Sequence, residues 1–257
     1  MAIHKTEAFV LQSFRYGETS VIVRLLTRDR GVVPMIAKGA LRSRSRVGAA
    51  LGPFRRLGVT YYDKPGRDLQ TLVEVELLAE HAGVAESLER LEAAGSWFRF
   101  LRSAIPENAP AGGLYLLAAA ALARLEATPL ARIRRWETYH RAAAARLLGL
   151  MPRLDACVGC GRGLPDGGTL SFSVEEGGVL CGACGAARPG ASRLGGEAYG
   201  IVQLYHHPDY ALVAVLEEGM EAEARAGDVV RRFVDGHLDV RSPADAGNPR
   251  GAAGRGR

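Results

Sequence analysis

The sequence predicts an α+β protein with several domains: a small closed barrel of five strands, then a helical domain into which a four-cysteine finger is inserted. Three observations lead to this prediction. Apolar and polar residues alternate through residues 5–78, which is the pattern of half-buried strands. From about His81 the apolar residues recur at helical intervals instead. Four cysteines then fall within one short segment.

Five strands are predicted in residues 1–80. Alternate residues from Val21 to Leu25 share one apolar face in the second strand, and alternate residues from Leu69 to Leu77 do so in the fifth, so both faces are expected in the core. Five strands in about 80 residues suit an OB-fold barrel, and an SH3-like barrel is the alternative. Turn residues divide the chain into strands at residues 5–14, 18–27, 31–39, 54–62 and 69–78.

Positive charge is concentrated at the amino-terminal end. The chain has a net charge of +5, yet residues 1–70 hold 13 Lys or Arg against five Asp or Glu, and residues 30–62 contain no carboxylate. A basic surplus confined to one domain is typical of a surface for nucleic acid. The alternative is a solvated face that keeps the protein soluble. The expected DNA-binding residues are Arg15, Arg24, Arg28, Lys38, Arg42, Arg44, Arg46, Arg55 and Arg56.

An OB barrel binds a nucleic-acid strand along a basic groove and stacks bases on aromatic side chains. Phe14, Tyr16, Tyr61 and Tyr62 are aromatic residues of the predicted strands. Packing in the core or at the rim of the barrel explains each of them at least as well as stacking does, so none is assigned to the DNA-binding site.

Residues 81–150 and 191–240 are predicted to form the helical domain, and residues 241–257 a disordered tail, because the tail lacks apolar residues other than alanine. Pro208 and Asp209 predict the start of a helix. Helices are expected at about residues 112–127 and 130–149, with two or three more within residues 195–238. An earlier helix is expected to bury one stripe, formed by Leu88, Leu91, Trp97, Phe98 and Leu101.

The inserted finger, residues 151–190, contains every cysteine of the chain, in the pattern C-x2-C-x20-C-x2-C. Gly161 and Gly185 follow the second cysteine of each pair, where glycine lets the backbone turn its amides toward the sulfurs. Between the pairs, "TLSFSVEEGGVL" predicts a hairpin with Gly177 and Gly178 at its bend. The predicted metal ligands are Cys157, Cys160, Cys181 and Cys184.

Four thiolates fill a tetrahedral zinc site and leave no position for water or substrate, so the sequence predicts a structural Zn²⁺ ion. No histidine lies inside the segment to replace a thiolate. Arg153, Arg162 and Arg188 are expected to offset the negative charge of the site. The alternatives are two disulfides, an iron–sulfur cluster, a redox pair, or a degenerate site that folds without metal; a reducing cytosol disfavours the disulfides.

The remaining sequence favours a cytoplasmic protein that is not an enzyme. No apolar run approaches the roughly 20 residues that cross a bilayer, and the amino terminus lacks the pattern of a secretory signal. The six histidines do not pair with carboxylates at metal-binding spacing, and there is neither a phosphate-binding glycine loop nor a nucleophile motif. We therefore expect no catalytic residues.

Three stretches of the sequence are distinctive: "FRYGETSVIVRLLTRDRGVVPMIAKGALR" (14–42), "LGLMPRLDACVGCG" (148–161) and "EEGGVLCGAC" (175–184). With these stretches, the order of basic barrel, helical domain and four-cysteine finger resembles the DNA repair protein RecO family of bacteria. The resemblance spans about residues 5–240, although "GHLDVRSPAD" near the end matches only loosely, and many members of the family lack the full cysteine set.

The resemblance implies a recombination mediator of the RecF-pathway type, associated with the nucleoid. Proteins of this kind bind single- and double-stranded DNA and anneal complementary strands. They contact RecR and the acidic C-terminal tail of single-stranded DNA-binding protein (SSB), and they help RecA load onto SSB-coated DNA. A zinc-ribbon RNA-binding protein or transcription factor is the alternative function.

An acidic, apolar tail requires a basic rim around an apolar notch. Arg132, Arg134 and Arg135 beside Trp136 offer one such arrangement. The alternative is an ordinary amphipathic helix whose tryptophan belongs to the core.

Overall fold

The computed structural model describes residues 2–107, 109–164, 169–217 and 221–238; the predicted tail, residues 241–257, lies outside them. The first elements are β1 (Ala2–Tyr16), β2 (Ser20–Thr27), β3 (Gly31–Ala37), α1 (Arg46–Ala50), β4 (Arg56–Asp63) and β5 (Gln70–Ala79). The strands close a barrel in the order β1-β2-β3-β5-β4, in which only β3 and β5 pair in parallel. This order confirms the predicted OB-type barrel.

Strand β1 is buried on both faces because it lies between two cores. Ala8 and Val10 belong to the core inside the barrel, whereas Phe9 and Leu11 belong to the larger core formed with the helices. Four consecutive residues of the strand are therefore buried, instead of every second one. The outer surface of the barrel thus supplies part of the core of the helical domain.

The predicted core face of the fifth strand is wrong over part of its length. Val73 and Leu77 are 38% and 44% exposed, while Leu72 is buried. Leu72 pairs with Tyr61 and Glu74 with Thr60, so Val73 is an extra residue without a partner on β4. Such a β-bulge reverses the alternation of faces beyond it, which a period-two pattern does not reveal.

The helical elements are α2 (Leu88–Ala104), α3 (Gly112–Ala127), α4 (Ile133–Leu147), α5 (Gly182–Ala186), α6 (Gly196–Tyr205), α7 (Tyr210–Ala214) and α8 (Glu221–His237). They confirm the predicted helical domain. Ser87 and Asp209 begin α2 and α7, because the side-chain oxygen of each accepts a hydrogen bond from a backbone N–H of the first turn. None of these helices has both the length and the apolar composition that crossing a membrane requires.

Helix α2 buries Trp97, Phe98 and Leu101 as predicted. Leu88 and Leu91 were expected in the same stripe, but they are 67% and 37% exposed. Both lie in the first turn of the helix, before it reaches the core, so the apolar stripe is shorter than the sequence pattern indicates.

Aromatic contacts join the barrel to the helices. The Phe9 ring lies 5.9 Å from Phe98 and 5.3 Å from Tyr115, measured between centroids. The Tyr115 hydroxyl also donates a 2.6 Å hydrogen bond to Glu7 Oε2. Phe54, which precedes β4, meets Phe98 edge-on at 5.3 Å. These contacts fix one side of the barrel against α2 and α3.

The finger contains β6 (Leu170–Ser173) and β7 (Gly178–Leu180). They form a sheet in the order β7-β6-β8 with β8 (Ser192–Leu194), which lies just beyond the predicted end of the finger. The predicted hairpin is present, but its turn covers residues 174–177, and Gly178 already belongs to β7. Phe172 of β6 packs edge-on against Phe233 of α8 at 5.9 Å. The finger is therefore part of the same core as the last helix.

A buried ion pair joins α4 to α8. Arg135 Nε and Nη2 donate hydrogen bonds of 2.6 and 2.7 Å to the two carboxylate oxygens of Glu223. The same guanidinium donates to the backbone oxygens of Leu216 and Glu217. Burial acts to raise the pKa of Glu223, but the hydrogen bonds and charge of Arg135 outweigh it and lower that pKa.

We predict that Glu223→Gln lowers the free energy of unfolding by about 3 kcal/mol at pH 7, because the change leaves a buried guanidinium without its carboxylate. Urea unfolding followed by circular dichroism measures the effect. Glu221→Gln on the same helix is the matched control: its carboxylate is 82% exposed, and we expect a loss below about 0.5 kcal/mol.

The effect should also depend on pH. Because the folded-state pKa of Glu223 is lowered, its ion pair stabilises the protein fully above the unfolded-state pKa of about 4.3 and progressively less as the pH falls through the folded-state value. The difference between parent and Glu223→Gln should therefore shrink below about pH 4. A difference that stayed constant down to pH 3 would contradict this role for the pair.

Candidate nucleic-acid interface and metal centre

The connection from β3 to β4 carries the main exposed group of cations on the barrel. Lys38, Arg42, Arg44 and Arg46, which we call the basic loop, are all exposed. None of the four forms an ion pair with any residue that the structure describes. Since residues 30–62 contain no carboxylate, no acid within the connection reduces its positive potential.

Backbone contacts hold the basic loop in place. The N–H of Leu41 donates a 2.8 Å hydrogen bond to the carbonyl of Thr19 in the β1–β2 turn. Ser45 begins α1 by accepting a hydrogen bond from Gly48 N–H, and a Cβ at Gly48 would lie 1.8 Å from the carbonyl oxygen of Ala40. The loop is thus fixed through its main chain, which leaves its cationic side chains in solvent.

Arg15 lies at the same end of the barrel. It pairs with Val21 across β1 and β2, and Val21 pairs with Ala37, the residue before Lys38. Arg15 is exposed and has no ion pair among the described residues. The structure therefore brings together five of the nine residues predicted to bind DNA.

The other four lie near the junction with the helices. Three of them are ion-paired: Arg24 with Glu107 at 3.0 Å, Arg28 with Glu7 at 3.5 Å, and Arg55 with Glu80. Arg56 is half-buried, and its charge acts on the Tyr115 hydroxyl. Such ion pairs are weak and can exchange partners, but a carboxylate already offsets each charge. These residues add less positive potential than the basic loop does.

The sequence did not decide whether four aromatic residues of the barrel are packed or free to stack on bases, and the structure separates them by exposure. Tyr61 is 1% exposed and belongs to the barrel core, and Tyr62 is half-buried. Phe14 and Tyr16 are 43% and 54% exposed near the end of β1. Only these two have rings that a ligand can cover.

Sequence reasoning missed Arg67. In the β4–β5 loop, Arg67 lines a hollow of about 450 Å³ together with Lys38 and Ile36. Gln70 holds this loop in place by accepting a hydrogen bond from Lys64 N–H and donating to Arg67 O. Arg67 stands next to Asp68, outside the acid-free stretch, so no charge pattern marks it.

The suggested notch around Trp136 is wrong. Trp136 is fully buried, and its Nε1–H donates a 2.9 Å hydrogen bond to Ala121 O. Arg135 is 4% exposed and is engaged by Glu223. The tryptophan belongs to the core, which is the alternative stated for this helix. Among its three arginines, only Arg134 is exposed.

The four cysteines come together as predicted. Their sulfurs all lie within 4.8 Å of one another, and Cys160 Sγ is 4.0 Å from Cys181 Sγ. The first pair is placed by a hydrogen bond from Val158 N–H to Val179 O of β7, and the second pair lies at the start of α5. This donor set could hold one metal ion.

The surroundings of the cluster shift the pKa values of two of its thiols in opposite directions. Burial acts to raise the pKa of Cys157, but backbone N–H donors of Cys181, Cys160 and Gly159 outweigh it and lower the pKa to about 6. Hydrogen bonds with the other three thiols raise the pKa of Cys184 to about 12. Four adjacent thiols cannot all ionise alone, whereas a divalent cation lets all four become thiolates.

The two glycines beside the cysteines act differently. Gly161 has φ +74°, and its N–H donates to Cys157 O at 2.8 Å, as expected for a turn that requires glycine. Gly185 lies in α5, where a Cβ would come within 2.6 Å of Ser171 Oγ. Glycine is needed there for close packing on β6, not for a turn, which corrects the prediction.

Of the three arginines expected near the cysteines, Arg188 is ion-paired with Glu176 at 2.5 Å. That hydrogen bond raises the pKa of Arg188, and the charges of Cys184 and Cys157 act in the same direction. Arg153 lies 3.6 Å from Asp155. Arg162 is exposed.

The fold and the two sites define an OB-barrel protein whose helical domain carries a four-cysteine finger. Comparison with known families gives the same answer. The family described as "Recombination protein O N terminal" matches residues 1–81, and "Recombination protein O C terminal" matches residues 85–244. The chain belongs to the RecO family, which places it in DNA repair and recombination.

Individual relatives agree. The DNA repair protein RecO of Anaeromyxobacter sp. (strain Fw109-5) is 36% identical over 242 residues, which is 93% of each chain. The protein of the same name from Rubrobacter xylanophilus is 34% identical over 99% of each chain. That from Geobacter metallireducens is 35% identical over 76% of each chain.

Proposed function

We propose that this protein is a recombination mediator that binds DNA through the basic loop and Arg15 and performs no covalent chemistry. The observation that supports this most directly is the set of exposed cations at one end of the barrel, without ion pairs among the described residues. When such cations neutralise phosphates, the counterions condensed on the DNA are released, and this release drives binding to any DNA backbone. Single- and double-stranded DNA are therefore both proposed ligands, with the nucleoid as the place of action.

Annealing follows from the same interaction. A protein that neutralises phosphates without reading base edges lowers the repulsion between two strands and leaves base pairing to select the partner. We propose that the protein anneals complementary strands in this way, and that with RecR it helps RecA load onto SSB-coated DNA. RecR and the acidic C-terminal tail of SSB are its proposed protein partners.

We also propose a structural zinc ion at Cys157, Cys160, Cys181 and Cys184. Four sulfurs at about 2.3 Å from a tetrahedral Zn²⁺ lie about 3.8 Å apart, close to the 4.0 Å between Cys160 and Cys181. Zinc held by four thiolates supplies folding energy and has no open position for a substrate. Its proposed role is to hold the finger, residues 151–190, as an insertion between the two parts of the helical domain, residues 81–150 and 191–240.

The basic loop can be tested by replacing Arg42, Arg44 and Arg46 with Ala. Losing three phosphate contacts, each with a salt slope of about 0.7, should weaken binding to a single-stranded oligonucleotide about 100-fold at 0.1 M salt. Annealing of complementary, SSB-coated oligonucleotides should slow in parallel. Fluorescence anisotropy and a strand-pairing assay measure the two effects.

The matched control replaces Arg193, Arg225 and Arg232 with Ala, which removes the same charge from β8 and α8. Binding and annealing should then change by less than about threefold. Equal losses in both triple variants would mean that net charge alone matters, and the proposed site would be rejected. A strong preference for RNA of the same length would favour the RNA-binding alternative.

The zinc proposal predicts one zinc per chain by elemental analysis, with four thiols that react with a thiol reagent only after chelation. Cys160→Ser should abolish stoichiometric zinc and lower the melting temperature, because β6 of the finger packs on α8 through Phe172 and Phe233. Ser103→Ala, in α2, should retain the metal. Purified protein with no zinc and four freely reactive thiols would contradict the proposal.

A further inference from the structure

We propose that Phe14 and Tyr16 form a stacking strip on the outer face of the barrel, which binds bases of a single strand and gives the protein a preference for unpaired DNA. The inference rests on the proposed DNA-binding function and extends it. The basic loop contacts the sugar-phosphate backbone that every nucleic acid has, whereas stacking requires bases that are not already in a duplex.

Both rings lack partners within the described part of the chain. Phe14 and Tyr16 are 43% and 54% exposed, and neither side chain has a ring contact or a hydrogen bond to any described residue. The other aromatic side chains of the barrel are at least half-buried. Two neighbouring exposed rings on one strand are therefore a local exception in a barrel that otherwise covers its aromatic residues.

The strand pairing shows which face the strip occupies. Phe14 pairs with Ile22, Ile22 with Ile36, and Ile36 with Thr71, so these four side chains form one row across β1, β2, β3 and β5. Tyr16, two residues beyond Phe14, lies on the same face of β1. Ile22, Ile36 and Thr71 are only half-buried, so no part of the chain that the structure describes covers the row completely.

The same row ends beside cations. Ile36 and Thr71 line the 450 Å³ hollow, and Lys38 and Arg67 line it as well. The face thus has two rings on one side and two positive charges on the other. Asp68 also lines the hollow, so its cations exceed its acids by one. A polyanion with planar bases matches this arrangement better than an apolar peptide does.

The free-energy cost of unstacking base pairs favours binding of a single strand over a duplex at the two rings. Residues two apart on a strand are about 6.8 Å apart, which is twice the roughly 3.4 Å per nucleotide along one strand of duplex DNA. A ring can enter a duplex only by unstacking base pairs, which costs free energy. An unpaired strand can separate its bases and place them on the two rings without that cost.

The test compares three ligands of equal length and charge type: a single-stranded oligonucleotide, its duplex, and a single strand with abasic sites in place of bases. The double variant Phe14→Leu with Tyr16→Leu keeps apolar side chains but removes the rings. Because each stacked base contributes roughly 5- to 150-fold in affinity, the variant should bind the normal single strand at least tenfold more weakly. Its affinity for the duplex and the abasic strand should change by less than about twofold.

Two further variants control for folding and for unspecific apolar contact. Phe14→Tyr with Tyr16→Phe keeps both rings and should bind all three ligands like the parent. Leu116→Ala removes an exposed apolar side chain of α3, 57% exposed, and should also have no effect.

The outcomes separate the two proposals. The stacking strip is rejected if the double variant loses affinity equally for all three ligands, or for none of them. It is also rejected if the double variant differs from the parent in oligomeric state, because a second copy of the chain would then cover the rings. A parent protein that binds none of the ligands would reject the proposed DNA-binding function itself. If the parent binds DNA and the double variant binds the single strand with the same affinity, only the stacking strip is rejected.

Discussion

The packing of Phe9 against Phe98 and Tyr115 determines which surfaces of the barrel can take a ligand. This contact, with the hydrogen bond from Tyr115 to Glu7, turns one outer side of the barrel into core. The carboxylates near that junction then pair with Arg24, Arg28 and Arg55. The cations and rings that have no such partners lie elsewhere on the barrel, and the proposed DNA-binding surface is built from them.

The roles that we propose for the cysteine finger and for the barrel are different. Its sheet packs on α8 through Phe172 and Phe233, so the proposed metal at the four sulfurs would stabilise the helical domain and not the basic loop. The two sites are therefore proposed to be separable: one supplies folding energy, and the other binds backbone phosphates.

Much of this architecture could be predicted because each part has a local signal. Period-two alternation indicated the strands, the change of period near His81 indicated the helices, and the spacing from Cys157 to Cys184 indicated the thiol cluster. The rest depends on contacts between distant residues. The bulge at Val73, the burial of Trp136 and the ion pairs of Arg24 and Arg55 follow from packing partners that a single sequence does not show. Arg67 was not predicted as a residue of the basic surface because the negative charge of the adjacent Asp68 cancels its positive charge in any local sum of charges along the sequence.

The most direct test of the central claim is the salt dependence of single-stranded DNA affinity. If the basic loop and Arg15 contact phosphates, five contacts give a slope of log K against log salt of about −3.5 for the parent protein. Replacing Arg42, Arg44 and Arg46 should reduce the slope to about −1.4, because two contacts remain. An identical slope for parent and variant would show that the phosphates are bound elsewhere, and the proposed role of the basic loop would be wrong.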